Sequence, residues 1–117
     1  MLIILPYLAF CVVLAYDNSQ RIKAGKRIYH GLNGALHLLA AGVTFWAYGW
    51  KDSLSLLLSV RVVFDVSLNL FRGLGIGYVS PKPKSWIDKA EKWVFRNDGI
   101  TPKIVYLFAV LCLQLLK

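Results

Sequence analysis

The stretch RVVFDVSLNLFRG, residues 61–73, places polar side chains inside one of the most apolar regions of the chain. Arg61, Asp65, Asn69 and Arg72 follow one another at i, i+4, i+8 and i+11, so a helix carries them on one side. An isolated charge in hydrocarbon costs several kcal/mol, and such residues normally face protein or water. The stretch therefore predicts a membrane helix with a polar stripe turned towards a partner.

The composition supports a membrane location. Of 117 residues, 57% are hydrophobic, and the mean hydropathy is +0.54, which is too apolar for an ordinary soluble domain. A helix needs about 17 to 25 apolar residues to cross a bilayer. Runs of that length, or nearly so, predict an all-α, single-domain bundle of four transmembrane helices over residues 1–16, 28–50, 53–71 and 100–116.

The charge distribution orients the predicted bundle. Lys and Arg number 14 against six acidic residues, and they concentrate in residues 17–27 and 72–103. Loops rich in Lys and Arg stay cytoplasmic, which puts both termini outside. Topology and attraction to anionic lipid headgroups explain these charges more simply than nucleic-acid binding does. We expect a multi-pass protein of a bacterial inner membrane or a virion membrane.

The segment 85–96 predicts a fifth, shorter helix. Ser85 and Asp88 resemble a capping box, and Trp86, Trp93 and Val94 share one helical face among charged residues. This pattern is typical of an amphipathic helix on the cytoplasmic leaflet, anchored by its two tryptophans. A short soluble helix folded back on the bundle is the alternative. Thr101 then predicts the N-cap of the last helix.

A second polar stripe lies on the second predicted helix, at His30, Asn33 and His37. A short external turn joins this helix to the next, so the two should pair as an antiparallel hairpin. Residues equally far from the turn lie at similar depth, which places His37 beside Asp65 or Val66, Asn33 beside Asn69 and His30 beside Arg72. The two stripes would then face each other. The predicted intramembrane cluster and the residues at its cytoplasmic end are as follows: His37, Arg61, Asp65, Asn33 and Asn69, with His30 and Arg72 at the end.

Neither a metal site nor a catalytic site is predicted. His30 and His37 are separated by roughly 10 Å along a helix, too far to share one zinc ion. Cys11 and Cys112 lie in different apolar segments away from any His–Asp pair, which favours ordinary packing residues. We expect no cofactor and no enzymatic activity.

The pattern R-x2-F-D-x3-N-x2-R-G over residues 61–73, followed by Tyr78 and the Ser85/Asp88 pair, resembles small uncharacterised multi-pass membrane proteins of the phage-genome type. That resemblance implies a membrane bundle and carries no function. Three functions fit the sequence. They are a non-enzymatic component of a larger membrane assembly with protein partners or further copies of itself, a proton or ion conduit through the polar cluster, and a holin-like permeabilising protein.

Overall fold

The computed structural model describes residues 4–28, 30–83, 85–96 and 98–116, which form five α-helices and no strand. The predicted all-α class is confirmed. Residues 1–3 of the first predicted segment and Tyr29 of the second lie outside the described residues. The helices have these bounds: α1 Ile4–Lys23, α2 His30–Tyr48, α3 Trp50–Phe71, α4 Trp86–Phe95 and α5 Thr101–Leu115.

Helix α1 continues beyond the apolar run that predicted it. The prediction ended at residue 16, where polarity begins, but polar residues can extend a helix once its turns are formed. Arg21 Nε donates to Asp17 Oδ2 at 2.9 Å, an i, i+4 pair. Past Lys23 the chain reverses at Gly25, whose φ of 67° suits glycine. Hydropathy thus located the apolar part of α1 and missed its charged last turns.

The connections around α3 depend on two glycines. Gly49, with φ 96°, separates α2 from α3 and produces the tight reversal expected near residue 51. At the other end Gly73 has φ 72°, and Leu74 N–H donates to the Asn69 carbonyl at 2.8 Å. This is the hydrogen bond of a Schellman motif, and it ends α3 sharply.

Helix α3 is the centre of the fold, because α1, α2 and α5 each pack against it. Helices α1 and α3 are parallel, because the C-terminal part of α1 contacts the C-terminal end of α3. The ring centroids of Tyr16 and Phe71, for example, are 5.4 Å apart. Helix α2 is antiparallel to α3, and Ser53 Oγ donates to the Ala41 carbonyl at 2.8 Å. Helix α5 is antiparallel too, as Gln114 meets Asp52.

One helix of the described chain, α3, is long and apolar enough to cross a membrane by length and composition. It has 22 residues, and its most apolar window has a mean hydropathy of 1.7. Helix α5 is apolar but has 15 residues. Polar residues interrupt the other two long helices, for example Asp17 in α1 and Asn33 in α2.

Burial follows an unusual pattern for a small helical protein. Large apolar side chains lie on the outside, and Trp46 of α2 is 88% exposed. The small apolar core is built around Cys11, Leu56 and Val60. Buried polar side chains are almost as numerous as buried apolar ones among the described residues, six against seven: Asn18, Ser19, Thr44, Ser53, Ser55 and Asn69 against Cys11, Ala15, Ala41, Leu56, Val60, Val62 and Pro102.

A close backbone approach fixes where α5 begins. A Cβ atom built on Gly99 would lie 2.3 Å from the carbonyl oxygen of Gly77. Only glycine allows the chain after α3 and the chain before α5 to come this close. The contact holds the segment around Tyr78 beside the start of α5, where it forms one wall of a cavity.

Candidate functional site

A cavity of about 120 Å³ lies between the C-terminal half of α3, the segment 78–83, α4 and the first turns of α5. It is lined by nine charged side chains, five basic and four acidic. The charged lining residues are Arg61, Asp65, Arg72, Asp88, Glu91, Lys92, Arg96, Asp98 and Lys103.

Arg61 is the centre of the largest ion-pair network around this cavity. Its Nε and Nη2 donate to the two carboxylate oxygens of Glu91 at 2.9 and 2.8 Å. Nη2 also donates to Asp88 Oδ1 at 2.5 Å. Tyr106 Oη completes the group by donating to Glu91 at 2.7 Å. The bidentate geometry fixes the direction of α4 relative to α3, because planar guanidinium and carboxylate groups pair in few orientations.

Asp65 belongs to a second pair on the same side of α3. Lys103 Nζ lies 2.6 Å from Asp65 Oδ2, and the lysine side chain is 12% exposed. The same ammonium donates to the Gly99 carbonyl at 2.6 Å. Through this pair the first turns of α5 are held against α3.

Asn69, Arg72 and Tyr78 line the cavity and contact one another. Asn69 Nδ2 donates to the Tyr78 carbonyl in a long hydrogen bond of 3.4 Å. The Arg72 guanidinium lies over the Tyr78 ring, 5.7 Å from its centroid, in a cation–π contact. The arginine is thus held by one face while its N–H edges remain available.

Helix α4 presents its acidic side to the cavity and its tryptophans to the outside. Ser85 caps the helix, accepting from Asp88 N–H at 3.1 Å as the sequence predicted, and it donates to Asp88 Oδ2 at 2.6 Å. Trp86 and Trp93 are 77% and 85% exposed. Asp88 and Glu91 point inwards to Arg61 instead of into solvent.

The turn from α4 to α5 has a strained residue and a capping one. Arg96 has φ 58° and ψ −119°, and Asp98 N–H donates to the Phe95 carbonyl at 3.1 Å. These are the angles of the first central residue of a type II′ turn, a position that strongly favours glycine. Asp98 accepts from the backbone N–H groups of Ile100 and Thr101. Asp98 therefore caps α5, and the predicted N-cap, Thr101, is its first helical residue.

The charge state of α4 follows from its partners. Burial alone would raise the pKa of the Glu91 carboxyl, but the hydrogen bond and positive charge of Arg61 hold that pKa below its ordinary value. The hydrogen bond from Tyr106 acts in the same direction. Hydrogen bonds from Thr101 hold the pKa of Asp98 below its ordinary value as well. Both carboxylates are charged at neutral pH.

The predicted cluster is divided by the structure. Arg61, Asp65, Asn69 and Arg72 line the cavity, whereas His37 lies elsewhere, its Nδ1 hydrogen-bonded to Tyr7 Oη at 2.8 Å.

The centroid of the His37 ring is 6.2 Å from that of Phe64, one residue from Asp65, so the sequence predicted closely which level of α3 lies beside His37. The hydrogen-bond partner of His37 is Tyr7 and not Asp65. Matching depth does not fix rotation about the helix axis, and α3 turns its charged face towards α4 and α5. Asn33 is half-buried on α2 and does not line the cavity. The side chain of His30 lies outside the described part of the chain.

Sequence reasoning missed four members of the ion-pair network, namely Asp88, Glu91, Lys103 and Tyr106. Asp88 and Glu91 stand at i, i+3 on the side of α4 away from the tryptophans, a spacing that could have indicated a shared cationic partner. Arg61 in an apolar helix required such a partner. Lys103 and Tyr106 had no comparable signal in the sequence. The rest of α5 is largely apolar on all sides, so its pattern does not show which side of the helix faces the other helices.

The arrangement binds helices together through ion pairs and hydrogen bonds. Within residues 4–28, 30–83, 85–96 and 98–116, no group of three or more His, Cys, Asp or Glu side chains could hold a metal ion. Cys11 is buried and Cys112 lies on the outer surface of α5. Each carboxylate around the cavity already accepts from a partner.

Comparison with known proteins gives no relative from which to transfer a function. No protein-family model matches the chain, and neither the curated proteins nor the solved structures include a significant match. The site must therefore be interpreted from its own chemistry.

Proposed function

We propose that the chain is an integral membrane protein in which α1, α2, α3 and α5 span the bilayer and α4 lies at the cytoplasmic interface. In this proposal it acts as a non-enzymatic component of a larger membrane assembly, its outer surface available to lipid and to neighbouring membrane proteins.

The observation that carries the proposal is the orientation of α4. In water an amphipathic helix packs its apolar side against the protein and exposes its charges. Here Asp88 and Glu91 face Arg61, and Trp86 and Trp93 face outwards. Tryptophans exposed beside charged groups suit the headgroup region of a bilayer, which accepts both the ring and its N–H.

The long helices support the same interpretation. The core helix of a soluble protein is mostly buried, whereas only 28% of the apolar window of α3 is buried although three helices pack on it. Large apolar surfaces on a soluble monomer promote aggregation, but in a bilayer they are solvated by lipid. Buried Ser53 and Ser55 then serve as polar contacts between helices, as is common in membrane bundles.

The basic segments support the proposed orientation. Helices α1 and α3 are parallel, and each is followed by a segment rich in Lys and Arg. Both segments therefore lie at the same end of the bundle, which the positive-inside rule assigns to the cytoplasm. Both termini are then external.

An assembly role is favoured by how the polar groups are used. Arg61, Asp65 and their partners tie α4 and α5 to α3 through mutual ion pairs. A conduit has less support, because the titratable His37 is hydrogen-bonded to Tyr7 and does not line the charged cavity. A polar network that is satisfied internally acts first as a structural connection.

The proposal is tested in two steps in cells that make the full chain. Resistance to alkaline and high-salt extraction, with release by mild detergent, is expected of an integral protein. Recovery in the aqueous fraction would contradict the membrane location.

Purification in mild detergent with either terminus tagged should then yield a stoichiometric membrane-protein partner, and tagging that partner should recover this chain. A purified chain that by itself moves protons or ions across liposomes at a sustained rate would contradict the assembly role.

A further inference from the structure

The charges around the cavity do not balance once their contacts are assigned. The four carboxylates are all engaged: Asp88 and Glu91 with Arg61, Asp65 with Lys103, and Asp98 with the N-terminal backbone of α5. Lys92 donates to the carbonyls of Ser80 and Pro81. The two remaining basic groups that line the cavity are Arg72 and Arg96.

Neither of these guanidinium groups has a hydrogen-bond acceptor among the described residues. Arg72 contacts Tyr78 through its face, which leaves its N–H donors directed away from the ring. Arg96 is exposed at the end of α4. Two arginines that line one small polar cavity, with no acceptor for their donors among the described residues, form a site for an anion that accepts several hydrogen bonds.

The backbone of Arg96 adds an independent indication. Its φ of 58° lies in the region that favours glycine, and the first central position of a type II′ turn is usually occupied by that residue. An arginine there holds a backbone conformation that glycine would adopt without strain. Strain of this kind is often kept at binding sites because the side chain is needed.

The position of the cavity identifies the class of anion. Its walls include α4, whose exposed Trp86 and Trp93 we placed at headgroup level above, and the apolar outer surface of α5 continues beside it. We propose that the cavity binds the phosphate of an anionic phospholipid, with Arg72 and Arg96 donating to its oxygens and the acyl chains lying along α5. This inference rests on the membrane location proposed above.

The experiment measures thermal unfolding of the full-length protein in mild detergent as phosphatidylglycerol is titrated. Phosphatidylcholine and inorganic phosphate are titrated in parallel. We expect phosphatidylglycerol to raise the unfolding temperature and the other two to have little effect. In Arg72→Gln with Arg96→Gln, the apparent affinity for phosphatidylglycerol should fall tenfold or more, since about two charge-assisted contacts are lost.

Two further variants separate binding from folding. Lys26→Gln with Arg27→Gln removes two exposed positive charges from the first loop and should keep the response, which excludes a general effect of charge. Arg96→Gly relieves the positive φ, so it should unfold at a higher temperature without lipid while responding less to phosphatidylglycerol.

An unchanged response in the double arginine variant would overturn the proposal, as would an equal loss in the loop variant. A full response to inorganic phosphate alone would overturn a lipid as the occupant. Failure of the membrane location would appear separately, as a protein that alkaline extraction releases from membranes.

Discussion

The two halves of α3 are both tied to α5, but by different chemistry. In the C-terminal half, Asp65 pairs with Lys103, and Arg61 joins the same region through Glu91. In the N-terminal half, Gln114 Nε2 donates to Asp52 Oδ1 at 3.0 Å and to Ser55 Oγ at 2.9 Å. We call these the charged half and the amide half.

The difference teaches where the fold is vulnerable. A neutral hydrogen bond between helices contributes about 1 kcal/mol, and its loss leaves a modest penalty. A buried ion pair adds little stability compared with an apolar replacement of similar volume. Removing one partner, however, leaves the other charge buried without a counter-charge, which is strongly destabilising. In the charged half, replacing all members of an ion pair together should therefore reduce stability less than replacing one member. In the amide half, every substitution should reduce stability only modestly.

The largest effect is expected for Arg61→Met. The change leaves Asp88 and Glu91 close together without their shared cation, and we expect a loss of about 3 kcal/mol in unfolding free energy. Unfolding in mixed micelles measures it. Adding Asp88→Asn and Glu91→Gln should restore most of the stability, because the neutral set carries no stranded charge. A triple variant as unstable as Arg61→Met would break the comparison.

A smaller difference should separate Asp65→Asn from Asp88→Asn. The first leaves Lys103, which is 12% exposed, without a carboxylate and should cost about 2 kcal/mol. The second removes one of two partners of Arg61 from a side chain that is 38% exposed, and about 1 kcal/mol is expected. Equal unfolding midpoints for the two variants would show that Lys103 finds another acceptor.

The amide half is probed by Gln114→Leu. Two hydrogen bonds are lost while the volume is nearly kept, so about 1 kcal/mol is expected. Ser55→Ala should add little in the Gln114→Leu background, since the hydroxyl has already lost its donor. The double-mutant cycle in mixed micelles measures this coupling. A loss as large as that of Arg61→Met would remove the distinction between the halves.

The smallest effect concerns pH. Because the pKa of Glu91 is lower in the folded protein than its ordinary value of 4.5, its contribution is complete above that pH and is lost as the pH falls further. Unfolding temperatures measured from pH 6 down to pH 3 should therefore decline less in Glu91→Gln than in the wild type. Parallel profiles for the two proteins would mean that Glu91 does not sense Arg61.

Hydrophobic runs predicted where helices lie better than which sides meet. The run ending at residue 71 and the Ser85 cap of α4 follow from local chemistry, and the structure agrees with both. The rotation of α3 depends on α4 and α5, which meet Arg61 and Asp65 from distant parts of the sequence. Pairing His37 with Asp65 considered only the neighbouring helix. No pattern in the sequence around His37 indicated that Tyr7 would be its hydrogen-bond partner.

The central position of α3 has a consequence for biogenesis. Helices emerge from a ribosome in chain order, so α3, on which α1, α2 and α5 all pack, follows α1 and α2. Until α3 is in place, α1 and α2 have little beyond the Tyr7–His37 hydrogen bond to hold them to each other. If these helices span the bilayer as proposed, the nascent chain must keep two loosely associated helices near the insertion machinery until α3 has been inserted. In that case a truncated chain that ends at residue 49 should be cleared by membrane proteases, whereas one that ends at residue 83 should be protected.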